Sequence, residues 1–357
     1  MAKLPEQVTT VTRIYEALER NERKTQLTAE SRDHLGASEI GKPCSRALWY
    51  GFRKALPKPE HEGRVLRLFR RGHNEEPMLI QDLIDSGVDA HAVDEKTGQQ
   101  FRFSILGGHV AGSMDGWAVG LVEAPETPHV IECKTHKLSL FRALKKHGTE
   151  KANPEHVVQS QLYMKWSGMK RTLYLGVCKD DDHIYMERIR YNAASAKVAE
   201  DKAKMIVEAP EPTEKLSDKP EFYICKMCDY APLCHQGVLP EVHCRTCAHS
   251  SPITEGEGQR WNCSRHNSTI PNEYLASGCD EHVYIPGLMP WPVLDGNKIE
   301  NWVEYDAPEI GRIRNGSRAD TVYTSKEIKA SYKYGKKILD KPLINEIREK
   351  FDGEITE

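Results

Sequence analysis

Apolar residues recur at helical spacing between Arg64 and Ser86, at Val65, Leu68, Phe69, Ile80, Leu83 and Ile84. The helix this predicts contains Pro77, which must kink it or fall in the first turn of a second helix. Four strand-like runs follow: HAVDE (91–95), QQFRFSILG (99–107), HVAGSMDGWAVG (109–120) and HVIECKT (129–135). Asn153 followed by Pro154 predicts a helix start, a cap and then a proline at the first helical position, with the helix running to about Trp166. RTLYLGVCK and HIYMERIR predict a strand pair turning at Asp180–Asp182, and another helix fills roughly 193–208. A charged, proline-rich connector, EAPEPTEKLSDKPE, comes next. Residues 1–36 are polar and helical in pattern, an N-terminal arm; 293–357 reads as a basic C-terminal extension. No internal repeat is visible. The order helix, strands, helix, strand predicts an α/β core, a central mixed sheet flanked by helices.

The chain has 357 residues, enough for one large domain or two smaller ones. A net charge of −3 does not by itself announce nucleic acid. Local charge says more. Lys42, Arg46, Arg53, Lys54, Lys58, Arg64, Arg67, Arg70 and Arg71 face only Glu60 and Glu62 within Lys42–Arg71, and Lys134, Lys137, Arg142, Lys145 and Lys146 form a second basic stretch. Such patches suit a phosphate backbone; solvated helix faces are the plainer reading. The polar start and the lack of a long apolar run lead us to expect a cytoplasmic protein with no membrane partner. Cys225, Cys228, Cys234, Cys244, Cys247, Cys263 and Cys279 crowd into one region after residue 220, which without a secretory signal points to metal ligation rather than disulfides.

The apolar run HVIECKTHK carries an acid and a lysine two residues apart. Strand side chains alternate, so Glu132 and Lys134 share one face while Ile131, Cys133 and Thr135 share the other. Upstream, GSMDG places Asp115 among small residues at a turn or strand edge. RGHNEEP offers His73 and Glu76, which fall on a helical stripe with Phe69, Ile80 and Leu83. Downstream, Gln159 and Tyr163 are four apart on one helical face, with Trp166 beyond. Taken singly, the E-x-K is a surface ion pair and the G-x-x-D-G a turn.

Taken in order, His73 and Glu76, then Asp115, then Glu132-x-Lys134, then Gln159-x-x-x-Tyr163 resemble the PD-(D/E)xK nuclease superfamily in its RecB-like branch, over roughly residues 37–235. The resemblance implies a restriction-endonuclease-like core and a metal-dependent DNA exonuclease of recombination, repair or phage DNA metabolism, in the host cytoplasm if phage-encoded. Its partners would be DNA ends or single strands, and a recombination or single-strand-binding protein. Glu76, Asp115, Glu132, Lys134, Gln159 and Tyr163 would be catalytic. His73, Asp115, Glu132 and the backbone carbonyl of Cys133 would hold Mg²⁺ or Mn²⁺; carboxylates suit these hard cations, and imidazole shifts preference toward Mn²⁺. Lys134 would orient water or stabilise developing charge, and Gln159 and Tyr163 would hold the DNA strand or brace Lys134. The rival readings are a structure-specific endonuclease with the same site and a non-catalytic DNA-binding protein.

The first cysteine set, Cys225, Cys228 and Cys234 in CKMCDYAPLC, lacks a fourth ligand, which Cys44 in GKPCSRALWY would supply. One cysteine before the core and three after it resembles the iron–sulfur nucleases, such as the AddB-type nuclease domain, the CRISPR-adaptation nuclease and phage exonucleases, and implies a [4Fe–4S] cluster closing residues 37–238. A zinc site with the same four cysteines is the alternative. Cys244, Cys247, Cys263 and Cys279 fit a tetrahedral Zn²⁺ site in a ribbon-like module over 239–292, with His266 or His282 as possible substitutes. That module is short, so metal would supply its folding energy. Its Arg245, Arg260, Arg265 and Trp261 form a candidate DNA-touching tip or a protein-docking knob. Ser45, Ser113 and Ser139 have no base partner, Gly107-Gly108 reads as a hairpin turn, and no Walker sequence is present, which excludes an intrinsic motor.

Overall fold

The computed structural model describes residues 9–28, 33–307 and 311–333. The chain divides into two compact units, both discontinuous in sequence. The first is drawn from positions up to 41, 59–104 and 111–201; the second from 42–58, 105–110 and 202 onward. Among the described residues, no helix is long and apolar enough to cross a membrane.

The first unit is built on a five-stranded sheet. The sheet and the main helices of this unit are α1 (Thr10–Thr28), α2 (Gly63–Asp85), β1 (Asp89–His91), β2 (Gly116–Val119), β3 (His129–His136), α3 (Leu138–Ala152), α4 (Pro154–Ser167), β4 (Arg171–Cys178) and β5 (Ile184–Arg190). The strands lie side by side in chain order. β3 and β4 run parallel and the other neighbours antiparallel, so the sheet is mixed. α3 and α4 form the crossover that a parallel pair requires. Leu79 and Ile80 of α2 pack with Ile131, Leu173, Leu175 and Val177 and with the half-buried Cys133. Leu144 of α3 approaches Gly176, the register partner of Lys134. Helices therefore cover both sheet faces, and Glu132 and Lys134 point away from α2.

Several expectations are corrected here. α2 runs unbroken through Pro77, because the buried Leu79 and Ile80 directly after it hold the helix to the sheet. Its stripe is not core-facing throughout: Phe69 is exposed and meets the His61 ring edge-on, 5.1 Å away. The HAVDE strand begins earlier, at Asp89, and Val93 makes only an isolated bridge to Gln100. HVAGSMDGWAVG is two strands in different sheets, Val110–Ser113 and β2. Gly116 opens β2 because a Cβ there would stand 2.5 Å from the His91 carbonyl oxygen of β1. The sequence reading had no helix over α3. Its buried Phe141 and Leu144 alternate with Arg142, Lys145 and Lys146 of the second basic stretch, which are exposed on its outer face.

In the second unit, Cys44 caps the helix Ser45–Phe52, its sulfur accepting from the Ala47 amide at 3.4 Å. Trp49 donates from Nε1 to the Ala209 carbonyl at 2.9 Å. Strands Ser250–Pro252, Trp261–Cys263 and Ser268–Ile270 make a small antiparallel sheet. Residues 293–307 and 311–333 fold as a four-stranded sheet followed by the helix Ser325–Lys333; positions 334–357 of the expected extension lie outside the described residues. Leu239, Tyr284 and Met289 share one core with Tyr305, Ile313, Tyr323 and Ile328, and Trp291 packs against it.

The expected DNA-touching tip is largely interior. Trp261 is fully buried, stacked on Phe52 at 5.4 Å, with the guanidinium groups of Arg53 and Arg245 each 5.1 Å from its ring. Arg53 donates to the Arg245 and Ser250 carbonyls, and Arg245 to that of Phe52. These arginines are held by backbone and aromatic faces, not aimed at a ligand. Arg265 is tied to Glu281 at 2.8 Å, leaving Arg260 as the exposed member without an ion pair among the described residues. Trp261→Ala is expected to destabilise the protein by about 3–5 kcal/mol in denaturant unfolding, with oligonucleotide affinity unchanged below the melting transition.

Candidate functional site

The site grows out of the edge where β2 stops. Pairing of β2 with β3 ends at Gly116 opposite Ile131. Two residues further along β3, the Cys133 amide donates not to a strand carbonyl but to the Asp115 carboxylate, at 2.7 Å. That bond fixes Asp115 beside the E-x-K strand. Glu132 has no solvent exposure; one of its oxygens takes the Lys134 ammonium and the other, Oε2, has no partner.

The electrostatics follow from burial. Burial pushes the Glu132 carboxyl up to about 7, opposed by Lys134 and helped by Asp115 and Glu76. Asp115 is raised chiefly by burial, against the pull of Lys134 and the Cys133 amide. Glu76 is raised by burial and then by Asp115. Burial opposes the Lys134 charge, but Glu132 and Asp115 outweigh it and the net direction is upward. Burial thus raises all three acids, Asp115 adds to the rise of Glu132 and of Glu76, and Lys134 opposes it in each. Glu75, beside Glu76, instead lines a separate cleft with the α2 arginines.

His73 is exposed, one turn before Glu76. Its Nδ1 lies 2.8 Å from the Phe69 carbonyl and must donate to it, which leaves the Nε2 lone pair free in the neutral ring. Among the described residues, no three His, Cys, Asp or Glu side chains are grouped as they would be around a metal ion. The donor chemistry still suits a hard divalent cation: oxygen ligands, carboxyls raised by burial, and one buried oxygen of Glu132 without a hydrogen bond among the described residues.

Gln159 and Tyr163 are buried, 5% and 2% exposed, and among the described residues the Lys134 ammonium bonds to Glu132. Tyr163 donates its hydroxyl to the Ser113 carbonyl at 2.8 Å and accepts from Gln159. A Cβ at Gly112 would lie 2.7 Å from that hydroxyl, so the glycine makes the seat. The pair braces the turn that carries Asp115. The sequence reading also missed a neighbour: Tyr174, register partner of Glu132, holds His136 Nε2 and His156 Nδ1 at 2.9 Å each. The signal was present, since His136 continues the alternation begun by Glu132 and Lys134.

In the second unit Cys44, Cys225, Cys228 and Cys234 line one cavity. Burial first, and then the neighbouring thiols, raise Cys228 and Cys234. Among the described residues these sulfurs are not grouped as they would be around a metal ion, though four thiols lining one cavity are the donor type that a thiolate-bound centre uses. Cys244 is pushed up to about 11 by burial and then by Cys279 and Cys263. Cys247 is pushed to about 12 by burial, with smaller effects of Cys279 and Cys244. His266 Nε2 lies 3.7 Å from the Cys279 sulfur. His282, the other possible substitute, is buried, its Nδ1 bonded to Ser325 and its Nε2 to the His243 carbonyl, and so is excluded as a ligand.

No family model matches the chain, and no curated protein matches it. Among solved structures, SSO0001 is similar at 16% identity and a TM-score of 0.38, over 62% of this chain and 96% of that one. The alkaline exonuclease LHK-Exo from Laribacter hongkongensis is similar at 19% identity and 0.34, over 49% of this chain and 86% of that one. The same enzyme in complex with dAMP is similar at 16% and 0.33, over the same shares.

Proposed function

We propose that the protein is a metal-dependent DNA nuclease that hydrolyses phosphodiester bonds, and that it works as an exonuclease at DNA ends. The observation that carries the reading is the bond from the Cys133 amide to Asp115, which sets that carboxylate beside the buried Glu132–Lys134 pair. A binding module has no use for acids gathered beside a lysine; a hydrolase does. Asp115, Glu132, the Cys133 carbonyl and either Glu76 or His73 would hold Mg²⁺ or Mn²⁺. The cation supplies Lewis-acid chemistry, neutralising charge on the phosphoryl centre and lowering the pKa of water. Lys134, kept charged by Glu132 and Asp115, presents its ammonium to the negative charge that develops as the P–O bond breaks. Gln159 and Tyr163 position Asp115. Cys44, Cys225, Cys228 and Cys234 would hold a [4Fe–4S] cluster, and Cys244, Cys247, Cys263 and Cys279 a Zn²⁺, both structural. The test is a time course on end-labelled linear DNA and on a covalently closed circle, with Mn²⁺ or with EDTA. Metal-dependent loss of the linear substrate alone is expected. Rapid cutting of the circle would replace the exonuclease by an endonuclease, and no cutting of either would refute the enzyme.

A further inference from the structure

The outer face of α2 carries a feature that the reaction chemistry does not use. Arg64, Arg67, Arg70 and Arg71 line a cleft of about 500 Å³ walled by Tyr15 of α1. The cleft is built rather than incidental. Gly63 lets α1 close on α2, since a Cβ there would lie 2.5 Å from the Tyr15 backbone, and its amide is held by Glu19 at 2.7 Å. Arg71 pairs with Asp182 at 3.6 Å, while Arg64, Arg67 and Arg70 make no ion pair among the described residues. Guanidinium groups left without carboxylates on one helical face repel one another unless an anion sits among them. The same cleft exposes apolar surface: Leu68 is 41% and Met78 59% exposed.

We propose that this cleft binds a single DNA strand, phosphates on the arginines and bases against Tyr15, Leu68 and Met78. Arginine with an aromatic wall is the combination that single strands select, because every base has a π-face. The cleft is too small to take a duplex. At 1.5 Å per residue, Arg64 to Arg71 spans about 10 Å of the helix. Glu76 projects from another side of α2, so the binding is argued independently of the nuclease reading above. Glu75, at the Glu76 end of the cleft, ends the run of positive charge.

The test is fluorescence anisotropy of a labelled oligothymidine with the full chain, in EDTA, over a salt series. Arg67→Glu with Arg70→Glu is expected to weaken binding at least tenfold and to lower the salt slope by about 1.4, which is about 0.7 for each phosphate of a single strand that is no longer neutralised. Tyr15→Ala leaves every charge in place and is expected to weaken binding at least about fivefold with the slope unchanged. A duplex closed by hairpins at both ends should compete poorly. Unchanged affinity in the double variant, unchanged affinity in Tyr15→Ala, or equal competition by the closed duplex would each overturn the assignment. All these residues lie on exposed or half-buried helix surface, and circular dichroism reports whether the variants are folded. If wild type cuts no DNA while the cleft variants still lose binding, the nuclease reading fails and the strand-binding cleft stands.

Discussion

Asp115→Asn is expected to slow DNA hydrolysis at least about a thousandfold, because it removes several kcal/mol of charge stabilisation from the reacting phosphate. The substitution is chosen to change charge and little else. The asparagine oxygen still accepts the Cys133 amide, so the turn after β2 and the end of its pairing are kept. Burial already holds the Asp115 carboxyl above its ordinary range, so its ionised form costs free energy in the folded protein. Removing that charge should leave the melting temperature in EDTA equal to or above that of wild type. A variant more stable and nearly inactive is the signature of a group kept for chemistry rather than for folding. Lys134→Ala is a blunter probe: it leaves Glu132, which has no solvent exposure, without its hydrogen-bonding partner, and so mixes lost catalysis with a buried unpaired charge. Hydrolysis by Asp115→Asn within tenfold of wild type would refute the site. Unchanged binding of single strands in EDTA by the same protein would show that the loss lies in the chemical step.

What could be read from the sequence was whatever a short period encodes. Alternation put Glu132 and Lys134 on one face and Cys133 on the other, and the sheet keeps that arrangement because Ile131, Leu173 and Leu175 fill the side under α2. Helical spacing paired Gln159 with Tyr163. Spacing does not tell which way a face points, however, and this one turns inward to the Ser113 carbonyl. The same ambiguity misled the reading of Arg245 and Trp261. Basic and aromatic residues in a short module look like a nucleic-acid surface, yet Phe52 and Arg53, more than two hundred positions earlier, close over Trp261. No local window contains that contact. Glu75 and Glu76 are equivalent in the sequence and a helical step of about 100° apart; only the packing of α2 sends one to Asp115 and the other to the arginine cleft. α3 escaped because Arg142 and its lysines dominate the pattern, while only two buried apolar residues, Phe141 and Leu144, seat it.

Cys225→Ser is expected to cost the protein the proposed [4Fe–4S] centre and with it the order of residues 209–236. The dependence follows from how little else holds that segment. It contains two short helices, Tyr223–Lys226 and Ala231–His235, and buries only Cys225 and Leu233 among its hydrophobic residues. Area burial on that scale does not offset about 1–2 kcal/mol of backbone entropy per ordered residue. Four thiolates on a cation do, since structural thiolate–metal sites supply on the order of 10 kcal/mol. The second cysteine set stands differently. Its neighbourhood includes the fully buried Trp261, and the region shares a core with the sheet over 293–323, so a single cysteine there should cost less. We expect wild type prepared without oxygen to be brown, with iron and sulfide in equal amounts, and Cys225→Ser to be colourless. Amide exchange in the variant should accelerate across 209–236 and in the Cys44-capped helix Ser45–Phe52, while β3 and β4 keep their protection. A colourless wild type with stoichiometric zinc at both sets and no sulfide would replace the cluster by a second zinc site. Unchanged exchange in Cys225→Ser would show that the four sulfurs around the cavity hold nothing the fold needs.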